Sequence, residues 1–234
     1  MKKKLIKIFA ISTIFFASSA TADLGGFYGV IGFQQSNADE NLSALTQMGL
    51  PSSDDDGGVN FGLGYEYNKY IAVELGFVDL GNVLSIGQGT FNDGGGGGPV
   101  SGSYAGIPYS YTAGAQGDLN LNTEVEGFTL GGLFSYPFTE KASVYAKAGV
   151  YFWDMETTGS GEVTNGNLTI NGTTYNSGFG AFTTSVSDDG NDLFYGVGLE
   201  YDFTDAMSVR ADYTAYEAAN IDIDAYGAAL KINF

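Results

Sequence analysis

Apolar and polar side chains alternate along several stretches of this chain. Residues 59–67 place Val59, Phe61, Leu63, Tyr65 and Tyr67 on one face and Asn60, Gly62, Gly64 and Glu66 on the other. Residues 193–203 set Leu193, Tyr195, Val197, Leu199, Tyr201 and Phe203 against Phe194, Gly196, Gly198, Glu200 and Asp202. Residues 226–234 set Tyr226, Ala228, Leu230, Ile232 and Phe234 against Gly227, Ala229, Lys231 and Asn233. A period of two over such lengths predicts strands with two unlike faces. The same reading gives strands over 70–80, 123–136, 142–154 and 207–216. A weaker one covers 26–35, where Phe27, Ile31 and Phe33 share a face but Tyr28 and Val30 blur the pattern.

The second face decides the environment. A soluble sandwich turns Thr, Lys, Glu and Ser to water, whereas here that face is mostly Gly with an isolated charge. Small residues suit the inside of a narrow barrel and bulky ones suit lipid. The expectation is an all-β, antiparallel, up-and-down transmembrane barrel of about eight strands. Connections alternate in length. Tight turns fall at Asn68-Lys69, 137–141 and Thr204-Asp205; long connections span 36–57, 81–121 and 155–191, and a shorter one covers 217–222. Short periplasmic turns opposite long external loops place both chain ends in the periplasm. Tyr67, Tyr70, Tyr136, Phe138, Tyr201, Phe203 and Phe234 gather at the short-turn end, where an interfacial girdle belongs. The long connections hold Asp54-Asp55-Asp56 and the run Gly94 to Gly98, and polar, Gly-rich loops of this kind are expected to be mobile.

The N-terminus has the three parts of a secretory signal. Lys2, Lys3, Lys4 and Lys7 are basic, Leu5 to Phe16 is apolar, and Ala20 and Ala22 are the small residues at −3 and −1. Cleavage after Ala22 gives a signal peptide over 1–22 and a barrel domain over 23–234. Four of the nine basic residues leave with the signal, so five basic residues face 27 acidic ones, a net charge of −22. Nucleic acid is excluded as a partner, because no basic patch exists to displace counterions from phosphate. Cys and His are both absent, which removes disulfides, thiol chemistry and any Ser-His or Asp-His mechanism.

Several segments together resemble the eight-stranded transmembrane domain of the outer-membrane protein A (OmpA)-like family. The run from Gly127 to Trp153, with Tyr136-Pro137-x-Thr139 at its turn, is similar to that family's fourth and fifth strands. Gly198-x-Glu200-Tyr201 and Arg210-x-Asp212-Tyr213 resemble its sixth and seventh, and Ala72-Val73-Glu74-Leu75-Gly76 its third. The resemblance covers nearly all of the mature chain outside the loops. It implies that Glu74, Glu200 and Arg210 occupy interior charged positions. The ending Tyr226-Gly227-x-x-Leu230-x-Ile232-x-Phe234 resembles the C-terminal signal read by the barrel-assembly machinery. Two departures count. The peptidoglycan-binding domain of larger members is not expected after Phe234. Leu133 sits where the family places an interior Lys, so its ion-pair switching is not carried over.

The expected lumen charges are Glu66, Glu74, Lys147, Glu200, Arg210, Asp212 and Lys231, in a network centred on Arg210 and Lys147. Isolated charges in so narrow a lumen would be costly. Such a network either fills and polarises a plug or lines a narrow or gated solute path. No catalytic residue is expected: Asp188-Asp189 and Asp222-x-Asp224 are the only carboxylate pairs worth naming, and both read as solvated. No cofactor or specific metal site is expected either, since Asp54-Asp55-Asp56 does not match the EF-hand spacing and offers at most weak Ca²⁺ or Mg²⁺ binding, or bridging to lipopolysaccharide. The expected role is structural and surface-interactive, in the outer membrane, among lipid and lipopolysaccharide. The loops at 36–57, 81–121 and 155–191 would meet a host surface, phage or antibody. The alternative is a narrow, low-conductance porin.

Overall fold

The structure, a computed structural model, describes residues 26–39, 50–92 and 99–234. The signal segment with Ala20 and Ala22, residues 40–49 and the run Gly94 to Gly98 lie outside the described residues. The strands are β1 (Phe27–Asp39), β2 (Ser52–Ser53), β3 (Asp55–Asn68), β4 (Ile71–Asn92), β5 (Val100–Tyr104), β6 (Ile107–Tyr111), β7 (Gln116–Pro137), β8 (Ala142–Asn165), β9 (Asn167–Ile170), β10 (Thr173–Asn176), β11 (Ala181–Thr204), β12 (Met207–Ala218) and β13 (Ile221–Asn233).

Among the described residues, β1, β3, β4, β7, β8, β11, β12 and β13 are the eight wall strands. Each pairs antiparallel with the next, β4 with β7 and β8 with β11, and β13 returns to β1. The ring is closed, so its membrane part has no free edge. Outward side chains on the lower wall are bare and apolar: Phe33 is 72% exposed, Leu193 71% and Phe134 58%. Their chain neighbours face the lumen and are small where the opposing residue is large. A Cβ at Gly64 would overlap the ring of Tyr28, and one at Gly198 that of Tyr145. The first strand, blurred in the sequence, resolves on this logic. Phe27, Ile31 and Phe33 face outward, while Tyr28 is buried in the lumen.

The long connections depart from the sequence expectation. Where described, 81–121 and 155–191 are mostly strand. β4 and β7 run for 22 residues and β8 and β11 for 24, twice the roughly ten a strand needs to cross a membrane. β1, β12 and β13 stop at 12 or 13. Half of the wall therefore stands tall above the other half. On this tall part the polarity of the two faces reverses. Leu119, Leu121, Val125, Trp153, Met155 and Val163 point inward and are buried, whereas Glu126, Asp154 and Asp189 lie opposite one another on the outer face.

A second sheet covers this inverted part. The hairpin β5–β6, from the β4–β7 connection, pairs with the hairpin β9–β10, from the β8–β11 connection, through Tyr109↔Ile170 and Tyr111↔Leu168. Both hairpins turn on two residues of positive φ, Ala105-Gly106 (49° and 74°) and Asn171-Gly172 (47° and 78°). Such turns match the natural twist of a two-residue hairpin. Tyr104, Ile107, Tyr109, Tyr111, Leu168 and Ile170 form one core with Leu119, Leu121, Val163 and Phe182 of the wall. The sheet is a lid on an apolar seat.

Candidate functional site in the barrel lumen

Below the lid the inward positions become charged, and strand register brings them to one level. Glu200 of β11 stands directly opposite Arg210 of β12, and Gly64 stands opposite Glu74, which leaves room for Tyr28 between them. Arg210 donates from Nε to Glu200 Oε2 at 2.6 Å and from a terminal nitrogen to Glu74 Oε1 at 2.5 Å. Its guanidinium carbon lies 5.2 Å from the ring centres of both Tyr28 and Tyr145, within cation–π range. Lys231 donates to Glu66 Oε1 at 2.5 Å and to Glu200 Oε1 at 2.9 Å, and lies 4.7 Å from the Tyr28 ring centre. Glu200 is therefore shared between both cations. Two tyrosines complete the layer: Tyr28 donates to Glu74 at 2.7 Å and Tyr145 to Asp212 at 2.6 Å.

All seven charged residues named from the sequence stand in this lumen, but their centre differs from the expected one. Arg210 and Lys231 bind the shared carboxylates. Lys147 pairs instead with Asp212, at 3.2 Å, above the layer. The reason is register: Lys147 lies opposite Gly196, one inward position nearer the lid than the Gly198↔Asp212 pair. Leu133 is buried against Tyr28, Ala72 and Tyr145, so this inward position is an apolar patch. Tyr28 and Tyr145 were not singled out from the sequence. The one hint was Tyr28, an aromatic out of phase with its strand and followed by glycines on the neighbouring one.

A small cavity of about 60 Å³ separates the charge layer from the lid core, lined by Asn60, Glu74, Thr129, Lys147, Arg210 and Asp212 among others. It is polar and large enough for a few waters. On the turn side a wide vestibule of about 1000 Å³ reaches in as far as Glu66, Glu200 and Lys231.

The remaining candidates lie elsewhere. Asp56 accepts from the N–H groups of Gly57 (2.7 Å) and Asn82 (2.8 Å) and from the Asn82 amide (3.2 Å). Partial burial works to raise its pKa, and the donors from Asn82 and Gly57 outweigh this and hold it below its ordinary value. Asp55 accepts from Gln35 and Ser53. The acidic run thus ties β1, β3 and β4 together at the rim. Among the described residues the carboxylates that approach one another as a group of three are Asp79, Glu124 and Glu126 on the outer wall. Asp188 and Asp189 are exposed on β11, and Asp224 accepts from the Tyr213 hydroxyl at 2.6 Å. Of the C-terminal residues, Tyr226 and Ile232 face outward, Gly227 borders the lumen cavity, Leu230 is partly buried, and Phe234 donates its N–H to the Phe27 carbonyl at 3.0 Å.

The model of the OmpA-like transmembrane domain matches residues 24–226, most of the chain. The chain belongs to the OmpA-like transmembrane domain family. It is accordingly an integral β-barrel of the outer membrane. No curated protein matches the sequence. Similar solved structures include the attachment invasion locus protein Ail of Yersinia pestis, bound to the heparin analogue sucrose octasulfate, at 17% identity over 89% of this chain and 99% of that one, with a TM-score of 0.44. Neisserial surface protein A is similar at 11% identity, over 90% and 98%, with a TM-score of 0.44. The N-terminal barrel domain of Pseudomonas aeruginosa OprF is similar at 13%, over 89% and 98%, with a TM-score of 0.41. This OmpA-like barrel carries a lid with its own apolar core above a lumen that holds ion pairs.

Proposed function

We propose that this OmpA-like barrel is a closed surface scaffold, which holds its lid and outer rim at the cell surface and passes no solute in its resting state. One observation carries the reading. The lumen is closed twice, by the Arg210–Lys231 layer and by the lid core, with only about 60 Å³ between them. An eight-stranded barrel is just wide enough for its own side chains to fill it. A solute path would require separating buried ion pairs and lifting an apolar sheet in the same event, and parting buried pairs alone costs several kcal/mol.

The outward apolar band sits against lipid and lipopolysaccharide, and the lid and rim are the parts available to a host or phage surface. The C-terminal residues Tyr226, Gly227, Leu230, Ile232 and Phe234 serve as the assembly signal, and residues 1–22 are removed on export. No catalytic step belongs to the reading: the chain has no His or Cys to serve as base or nucleophile, and Asp188 and Asp189 are exposed to solvent on β11. The narrow-pore alternative draws on the vestibule, which reaches in as far as Glu66 at the foot of the charge layer. Planar-bilayer recording separates the two. The purified barrel should give a flat trace, and reproducible single-channel steps would overturn the scaffold in favour of the pore.

A further inference from the structure

Among the described residues, β11 loses its neighbour half-way up. Its ladder with β12 starts at Phe194↔Tyr216, but its ladder with β8 continues to Ala181↔Glu162. β12 cannot follow, because the chain turns back at Ala219-Asn220, both at positive φ (53° and 66°). The β11 edge from Val186 to Asp192 therefore faces a groove of about 580 Å³. The lid turn at Ala105-Gly106 forms its far side and the Ala219-Asn220 turn its foot. Half of the backbone N–H and C=O groups along such an edge point away from its one partner strand.

We infer that this edge takes up an extended cationic peptide as an added strand, in the place β12 leaves empty. The inference rests on the scaffold reading and supplies the chemistry of its partner. Charge selects the occupant. Asp188, Asp189 and Asp192 line the groove, while every basic residue among the described ones is at a short turn (Lys69, Lys141) or in the lumen (Lys147, Arg210, Lys231). A second copy would bring the same aspartates to face these, and like charges directly opposite destabilise a strand pair. A basic strand gains what a copy would lose. The groove also has an aromatic floor: Trp153 lies beneath Gly190, where a Cβ would meet its indole at 2.5 Å, and donates to Asp192 at 2.7 Å. The aspartates keep the edge from pairing indiscriminately, so the same residues exclude wrong partners and select the right one.

Trp153 is the only tryptophan in the chain, so the groove carries its own probe. The full-length barrel in detergent micelles is titrated with a peptide of about ten alternating Lys and Val residues, enough to span much of the edge at roughly 3.3 Å per residue. A saturable change in Trp153 emission is expected, absent with the Glu-Val peptide and lost when the Lys-Val peptide is N-methylated at alternate amides along its pairing edge. D188N/D189N should weaken binding about tenfold, and D188K/D189K should reverse the preference, with retained heat-modifiable migration on gels showing that both variants fold. Equal responses to the two peptides, or responses that survive N-methylation along either edge, overturn the inference. So does silence of Trp153 with every peptide. Silence with slow amide exchange over 181–193 assigns the edge to another part of this chain such as residues 40–49, and dimers forming without peptide assign it to a second copy; either result overturns it too. Silence with a flat bilayer trace leaves the scaffold reading standing, whereas silence with channel steps removes both.

Discussion

At the scale of single residues, the lumen depends on Arg210, the one cation that joins β4, β11 and β12. Its side chain is 6% exposed and holds Glu74 and Glu200 apart. Replacing it leaves two carboxylates facing each other in a narrow space, and breaking one side of a buried pair costs about 3–5 kcal/mol. R210A should therefore lower the midpoint of urea unfolding in micelles by that amount. E74Q/E200Q/R210M, which removes the charges together, should recover most of it; equal losses in both variants would contradict the ion-pair account. Asp56 makes a pH prediction of known sign. Its folded pKa is depressed, so its tie to Asn82 and Gly57 contributes in full above its ordinary value of 3.8 and is lost as pH falls through the lower folded value. Amide exchange of Gly57 and Asn82 should quicken only below about pH 4, and D56N should flatten that dependence. The seven lumen charges were legible in the sequence because each falls on the face opposite a row of bulky apolar residues. The central role of Lys231 was not, since it follows from which strand closes the ring and in what register.

At the scale of elements, the strand pattern was read correctly where apolar residues face lipid and was cut short where they turn inward. Along β7 the apolar side chains occupy odd positions at Leu119, Leu121 and Val125, then even ones at Phe128, Leu130 and Phe134. The phase shifts at Gly127. In β8 it shifts between Phe152 and Trp153. Read as alternation alone, a phase break ends a strand; physically it marks the point where the outside changes from hydrocarbon to water and the apolar face must change sides. The lid was hidden for another reason. Asn171-Gly172 between NLTI and TTYN is a strong local signal for a hairpin, but the pairing of that hairpin with one some sixty residues earlier in the chain is a long-range fact with no local trace. If the lid is seated by its apolar face, Ile170→Asp should free it, since burying an unpaired carboxylate costs more than the contact is worth. Limited proteolysis should then cut within 99–115 and 166–180, while the wall strands stay intact and the protein still migrates as a folded barrel. A variant as resistant as the parent would mean that the lid is held by its connections alone.

At the scale of the whole molecule, the described residues form a barrel with a two-sheet sandwich of opposite polarity stacked on it. The lower one is apolar outside and charged within, so detergent or lipid supplies its stability along with the closed ring of backbone hydrogen bonds. The upper one is acidic outside and apolar within, and it is held by the water-driven burial of Tyr109, Leu121, Ile170, Phe182 and their neighbours. Two such halves need not unfold together, because different solvents hold them. Their single spectroscopic divider is Trp153, buried at the base of the upper core with its N–H on Asp192. Urea weakens burial from water, and it competes less well with a hydrogen-bonded ring sheltered in a micelle. Rising urea should therefore red-shift the Trp153 emission first, at a concentration where the barrel still shows its folded mobility on an unboiled gel. The gel shift should follow at higher urea. Raising the detergent concentration should move the second midpoint and leave the first in place. Coincident midpoints that respond alike to detergent would show instead that the tall strands β4, β7, β8 and β11 transmit unfolding across the membrane boundary as single rigid members, and that the inversion of polarity divides the chemistry of the barrel without dividing its cooperativity.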